Sequence, residues 1–264
     1  MRSSYQNQAQ QAVKAGEGKV VPLREAFQKR AESMIEEASR EAFRSLNLTD
    51  GFQQIIRGEI NLSEYRSMMK EIYYYTRETP QMLGVLSSRL RGNQRAAIRV
   101  LFKHALAEIG HDQLALHDAI ALKEDGQKIE IEQPLPSTTA LISYAYYQIE
   151  RLEPTGFLGF LYFLEYIANA GGGNFIQKLN EAGIPESAMS FVKEHAEVDP
   201  AHNKLLGKYV ASLVLNQQIL DSVVYCIRCA SELYGQMISR AIENAYPLYP
   251  SLPCSEERRM KTES

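Results

Sequence analysis

The chain has 264 residues, 45% of them hydrophobic and 23% charged, with a net charge of -3. That length suits one large domain or two small ones with a real core. The near-balanced charge has no basic stripe, which argues against a nucleic-acid partner. The start, Met1-Arg-Ser-Ser-Tyr-Gln, has no apolar run behind it, and no stretch of about 18 apolar residues occurs. Neither a secretory leader nor a membrane span is expected. Three cysteines, Cys226, Cys229 and Cys254, make no disulfide framework. A reducing cytoplasm is the expected home.

Residues 1–20, rich in Gln, Ser and Gly, read as a flexible arm. Residues 21–250 read as one all-α multi-helix bundle, and 251–264 as a tail. Leu23, Phe27, Met34 and Ile35 recur at helical spacing, and that helix should end near Leu48. Thr49-Asp50-Gly51 supplies a turn. Ser63 is a plausible cap for a helix through Met68, Met69, Ile72 and Tyr75, which Pro80 ends or kinks. After the Arg91-Gly92-Asn93 break, one long helix is expected from Gln94 to Leu122, with Leu101, Leu106, Leu114 and Leu116 among its apolar positions.

The polar stretch 123–136 reads as a loop. A helix over 137–152 stops at Glu153-Pro154-Thr155-Gly156. The next, 156–170, is apolar nearly all round, which marks a buried central helix, and Gly171-Gly172-Gly173 should end it. Shorter helices reach Val198, and a last long one runs from Pro200 to Ala245, bent midway. Cys226-x-x-Cys229 falls inside that helix, without the βαβ setting of a redox motif, and reads as packing. The tyrosines at 73–75 and 144–147 read mostly as core.

The most informative segment is His195-x3-Asp199-x2-His202. Steps of four and three return to one helical face, so two imidazoles and a carboxylate point to one spot. That mixed nitrogen and oxygen set suits iron, manganese or zinc more than magnesium or calcium. A surface helix with a capping Asp looks the same, so the triplet needs company. Glu108 and His111 form an i, i+3 pair, of the kind that projects into bundle cores to hold two irons. Glu165 is the one acid within Phe160-Leu-Tyr-Phe-Leu-Glu-Tyr-Ile167. A carboxylate in such surroundings is costly without a partner. Glu108, His111, Glu165, His195, Asp199 and His202 together could hold two ferrous ions. Pro200 disfavours helical geometry at Asp199. The triplet therefore straddles a helix joint, with folding of that joint coupled to metal binding.

Gly159-Phe-Leu-Tyr-Phe-Leu-Glu165 and His195-x3-Asp199-x2-His202 are similar to the metal-binding helices of the haem-oxygenase-like di-iron oxidases and oxygenases. The run Tyr73-Tyr74-Tyr75-Thr76-Arg77 resembles their early core helix, and the likeness covers roughly residues 60–220. It implies a bundle of seven or slightly more helices and oxygen activation at two irons, with a manganese/iron pair as an alternative. O2 is then a co-substrate, with an external reductant where one is needed. The implied substrate is a small metabolite, an amino acid or a fatty acid, undergoing N-oxygenation, desaturation or oxidative C–C cleavage. A substrate carboxylate would be tolerated, and a homodimer is the habitual assembly. Some members place a glutamate seven residues before the long-helix histidine. Here that position is His104, expected as a hydrogen-bond partner of a ligand or as a spare ligand. The rival expectations are a metal-free member of the fold, of the thiamin-degrading or quinone-cofactor type, a haem oxygenase, and a non-catalytic partner-binding bundle. No cysteine precedes Cys226 to serve the thiamin type, and the first histidine, His104, comes too late for a haem ligand on the first helix.

Overall fold

A computed structural model describes residues 2–196, 207 and 209–245, with side chains from Leu23 onward. Among the described residues every regular element is helical, as the sequence predicts. Helix α1 spans Arg2–Leu46, so helical backbone already begins in the stretch expected as an arm. It is followed by α2 (Asp50–Ile56), α3 (Leu62–Thr76) and α4 (Thr79–Arg89). The start of α3 is capped by Asn61, not Ser63. Asn61 Oδ1 accepts from the N–H groups of Ser63 and Glu64, and Glu64 Oε2 accepts from the Asn61 N–H at 2.9 Å. This reciprocal box satisfies donors that the first helical turn leaves without partners.

The single helix expected over 94–122 is three elements. A 3-10 turn (Gly92–Ala97) leads into α5 (Ile98–Glu108), and α6 (His111–Ala121) follows. The break falls at Gly110, whose φ of +102° is left-handed backbone that a side chain would strain. A lone glycine in a helical pattern is usually tolerated. Periodicity alone therefore reads through this one. The expected loop 123–136 contains a short helix, α7 (Gly126–Ile131), because Asp125 caps it through the N–H groups of Gln127 and Lys128.

Helix α8 (Pro136–Arg151) and a 3-10 turn (Pro154–Phe157) lead into α9 (Leu158–Glu181). The central helix is thus longer than predicted and passes straight through Gly171–Gly173. Two of these glycines serve close packing. A Cβ on Gly172 would stand 2.7 Å from the Ala196 Cβ, and one on Gly171 would meet the Phe43 ring at 3.2 Å. Residues 158–163 of α9 are buried as predicted, with Phe160 and Phe163 fully enclosed, while 164–169 are only half-buried. Each such ring contributes roughly 1.5–3 kcal/mol by leaving water.

Helix α10 (Ser190–Ala196) packs on α6 and α9. The last helix, α11 (Gln217–Glu243), packs on α1, α3, α8 and α9 and forms the hub of the bundle. It starts later than expected because Asn216 caps it, accepting from the Ile219 N–H at 2.9 Å, after a break at 214–216. Cys226 is buried on α11, in line with a packing role. No described helix is long and apolar enough to cross a membrane.

Candidate metal centre

Four of the six residues expected as ligands meet at one place. Glu108 closes α5, His111 opens α6, Glu165 lies midway along α9, and His195 lies near the end of α10. Asp199 and His202 lie outside the described residues, as does the joint at Pro200. Glu108 and His111 do not share one continuous helical face, since Gly110 separates their helices. The left-handed turn still brings them together, with His111 Nδ1 3.5 Å from Glu108 Oε2.

The second oxygen of Glu108 faces another imidazole. His104 Nε2 is 3.4 Å from Glu108 Oε1 and 4.0 Å from Glu165 Oε1. One carboxylate therefore looks both ways, Oε1 to His104 and Oε2 to His111. His195 stands beside His111, ring centroids 4.8 Å apart and planes at 70°. Its Nδ1 lies 2.7 Å from the Phe191 carbonyl oxygen. A carbonyl only accepts, so Nδ1 carries the proton and Nε2 keeps the lone pair that could bind a metal.

The electrostatics are those of buried acids and imidazoles that act on one another. Burial pushes the Glu165 carboxyl up to about 7, and the Glu108 charge adds to this against a smaller opposing pull from His111. Burial also acts to raise Glu108, but His111, His104 and His195 outweigh it, and its carboxyl sits below the usual range. His111 is raised by the Glu108 carboxylate, against its own burial. His195 is lowered by burial.

The residues fit a metal. Nδ1 of His111 is buried and forms no hydrogen bond among the described residues, though Glu108 Oε2 stands 3.5 Å away; an ion between the two would satisfy both. Imidazole and carboxylate together suit iron, manganese and zinc. The centre opens onto a cavity of about 410 Å³. Its wall is mostly apolar, including Phe52, Ile72, Leu161, Leu164 and Ile238, with Tyr75 and Tyr234 packed edge to face at 5.9 Å. The sequence left His104 undecided between a spare ligand and a hydrogen-bond partner of one; the fold sets it against both Glu108 and Glu165. His117, expected off this face, has a side chain 66% exposed.

A family described as iron-containing redox enzymes matches residues 66–235, well over half of the chain. The chain belongs to that family. Solved structures share its haem-oxygenase-like fold. A domain of unknown function with a heme oxygenase-like fold from Shewanella denitrificans OS217 superposes with a TM-score of 0.74 at 19% identity, over 83% of this chain and 98% of that one. A TenA homologue from Pseudomonas syringae pv. tomato DC3000 gives 0.65 at 12% identity, over 81% and 92%. A TenA homologue from P. horikoshii OT3 gives 0.62 at 12%, over 81% and 98%. At these identities the likeness is one of fold. No curated protein matches.

Proposed function

We propose that this iron-containing redox enzyme is a non-haem di-iron oxidase or oxygenase that activates O2 to oxidise a small metabolite. The observation that carries the reading is Glu108, a buried carboxylate with one oxygen toward His104 and the other toward His111. A carboxylate so placed is disposed to bridge two ions. Glu108, His111, Glu165 and His195 would hold the pair, with Asp199 and His202 as the further ligands expected from the sequence. Bound ferrous iron supplies the one-electron chemistry that dioxygen requires.

The protein's own groups have separate tasks. Glu108 and Glu165 offset the cations' charge. Glu165 holds a proton near neutrality and releases it when a cation arrives. The Phe191 carbonyl fixes the His195 tautomer, so the ring enters the site without a proton rearrangement. The apolar wall excludes water and accepts an aliphatic chain. Lys178 lines the same cavity and is paired with the partly exposed Glu181 at 2.6 Å. Its ammonium could exchange that partner for a substrate carboxylate. These features favour an aliphatic acid, of the fatty-acid or apolar amino-acid type.

The test is anaerobic loading with ferrous iron, followed by oxygen uptake with a series of aliphatic and amino acids. Two irons per chain and uptake stimulated by one acid class are expected, with both lost in Glu108→Ala. A protein that takes up no iron, or whose oxygen uptake ignores every acid offered, is not this enzyme.

A further inference from the structure

We infer that His104 is a metal ligand, and that His104, Glu108 and Glu165 form a half-site that takes the first divalent ion on its own. The inference deepens the di-iron reading and rests on it.

One ligand atom from each of these three residues lies within 4.8 Å of the other two. With bonds of about 2.0–2.2 Å, two ligands on one ion stand roughly 3–4.4 Å apart. The His104 Nε2 distances of 3.4 Å to Glu108 and 4.0 Å to Glu165 fall in that range. Small rotations would close the set on one ion. The three side chains are only 12–17% exposed, so water does little to hold their charges apart. His111 and His195 are outside this group of three. His111 faces the other Glu108 oxygen, and His195 faces His111.

The two halves are unequal in charge and in support. The His104 half has two carboxylates and one imidazole, which neutralise a divalent ion. Among the described residues the His111 half has two imidazoles and a share of Glu108, and for further charge it depends on Asp199, expected from the sequence as a ligand. The His104 half stands on α5 and α9 alone. The other half needs α10, a seven-residue helix, to be docked. The first ion should therefore bind tightly on its own, and the second more weakly.

The experiment is an anaerobic titration of the full chain with Mn(II), counting free ion by its six-line EPR signal. Spin-echo modulation then reads nitrogen on the bound ion. Wild type should take two ions in two steps. His195→Ala should keep the tight step within about threefold and weaken the second at least tenfold, as loss of a ligand requires. Its single ion should show a directly bound nitrogen. Adding His104→Ala should abolish that nitrogen signal and weaken the tight step at least tenfold. His104→Glu should restore the tight step without the nitrogen signal, which guards against simple misfolding of the alanine variant. If His104→Ala binds two ions as wild type does, or the nitrogen signal survives its loss, His104 is not a ligand and the di-iron reading still stands. If wild type binds neither Mn(II) nor ferrous iron, that reading falls, and this one with it.

Discussion

Asp118 on α6 clamps Ser190 at the start of α10, accepting from its N–H at 2.9 Å and its hydroxyl at 2.6 Å. The other Asp118 oxygen accepts from the Phe191 N–H at 2.9 Å. The helix that begins with His111 thereby caps the helix that carries His195. Asp118 is fully buried, so its loss would strand the Ser190 and Phe191 N–H groups, while the Ser190 hydroxyl keeps the Leu114 carbonyl at 3.4 Å. Asp118→Ala should cost about 2–4 kcal/mol in a urea melt. In the same variant the His195 half of the centre should lose metal affinity. An unchanged melting curve would show that the clamp contributes nothing.

Glu165 makes the metal-free protein pH-sensitive. Its folded pKa of about 7 lies above the ordinary 4.5. A raised carboxyl favours the folded state below 4.5, and that advantage fades as pH rises through 7. Metal-free wild type should lose about 2–3 kcal/mol on this account between pH 4.5 and 7.5, relative to Glu165→Gln. The difference between the two proteins isolates Glu165 from His111 and Glu108 beside it. Denaturant melts across that range check the slope.

Gly110 sets the angle between Glu108 and His111. Its left-handed φ costs a side chain about 1–2 kcal/mol. Gly110→Ala should lower stability by that amount and iron affinity with it, because relaxing the turn swings His111 away from Glu108. Equilibrium dialysis against ferrous iron, beside a thermal melt, separates the two effects.

The glycines of α9 should respond in opposite directions. A Cβ on Gly159 would lie 2.3 Å from the Val223 carbonyl oxygen of α11. Gly159→Ala must push the two central helices apart, at about 1–3 kcal/mol. Nothing lies within 4 Å of a Cβ on Gly173. Gly173→Ala should stabilise α9 by up to about 1 kcal/mol, since alanine is the better helix former. Destabilisation by Gly173→Ala would mean that the helix does not run through 171–173.

Those glycines mark where reading the sequence stops. Apolar periodicity is a local property, so it delivers the helical class, the buried run from Leu158 and the break at Glu153-Pro154. A glycine's meaning is not local. Gly110 takes a left-handed φ and ends a helix, whereas Gly171–Gly173 stay helical, with Gly171 and Gly172 fitted to the residues packed against them. Gly172 is small because Ala196 of α10 packs against it. That same contact brings the helix of His195 up to the helix of Glu165.

By itself the sequence determined that the protein is an all-helical bundle, and it named Glu108, His111, Glu165 and His195 within a set of six expected ligands. Apolar periodicity suffices for the class; for the set, a buried acid's need of a partner and the resemblance to the haem-oxygenase-like di-iron enzymes pointed the same way. Only the tertiary structure decided how they meet. It turned the chain at Gly110, set α10 against α9, and brought His104 within reach of both Glu108 and Glu165. Such distances between helices depend on close packing across elements far apart in the chain, which no local pattern records.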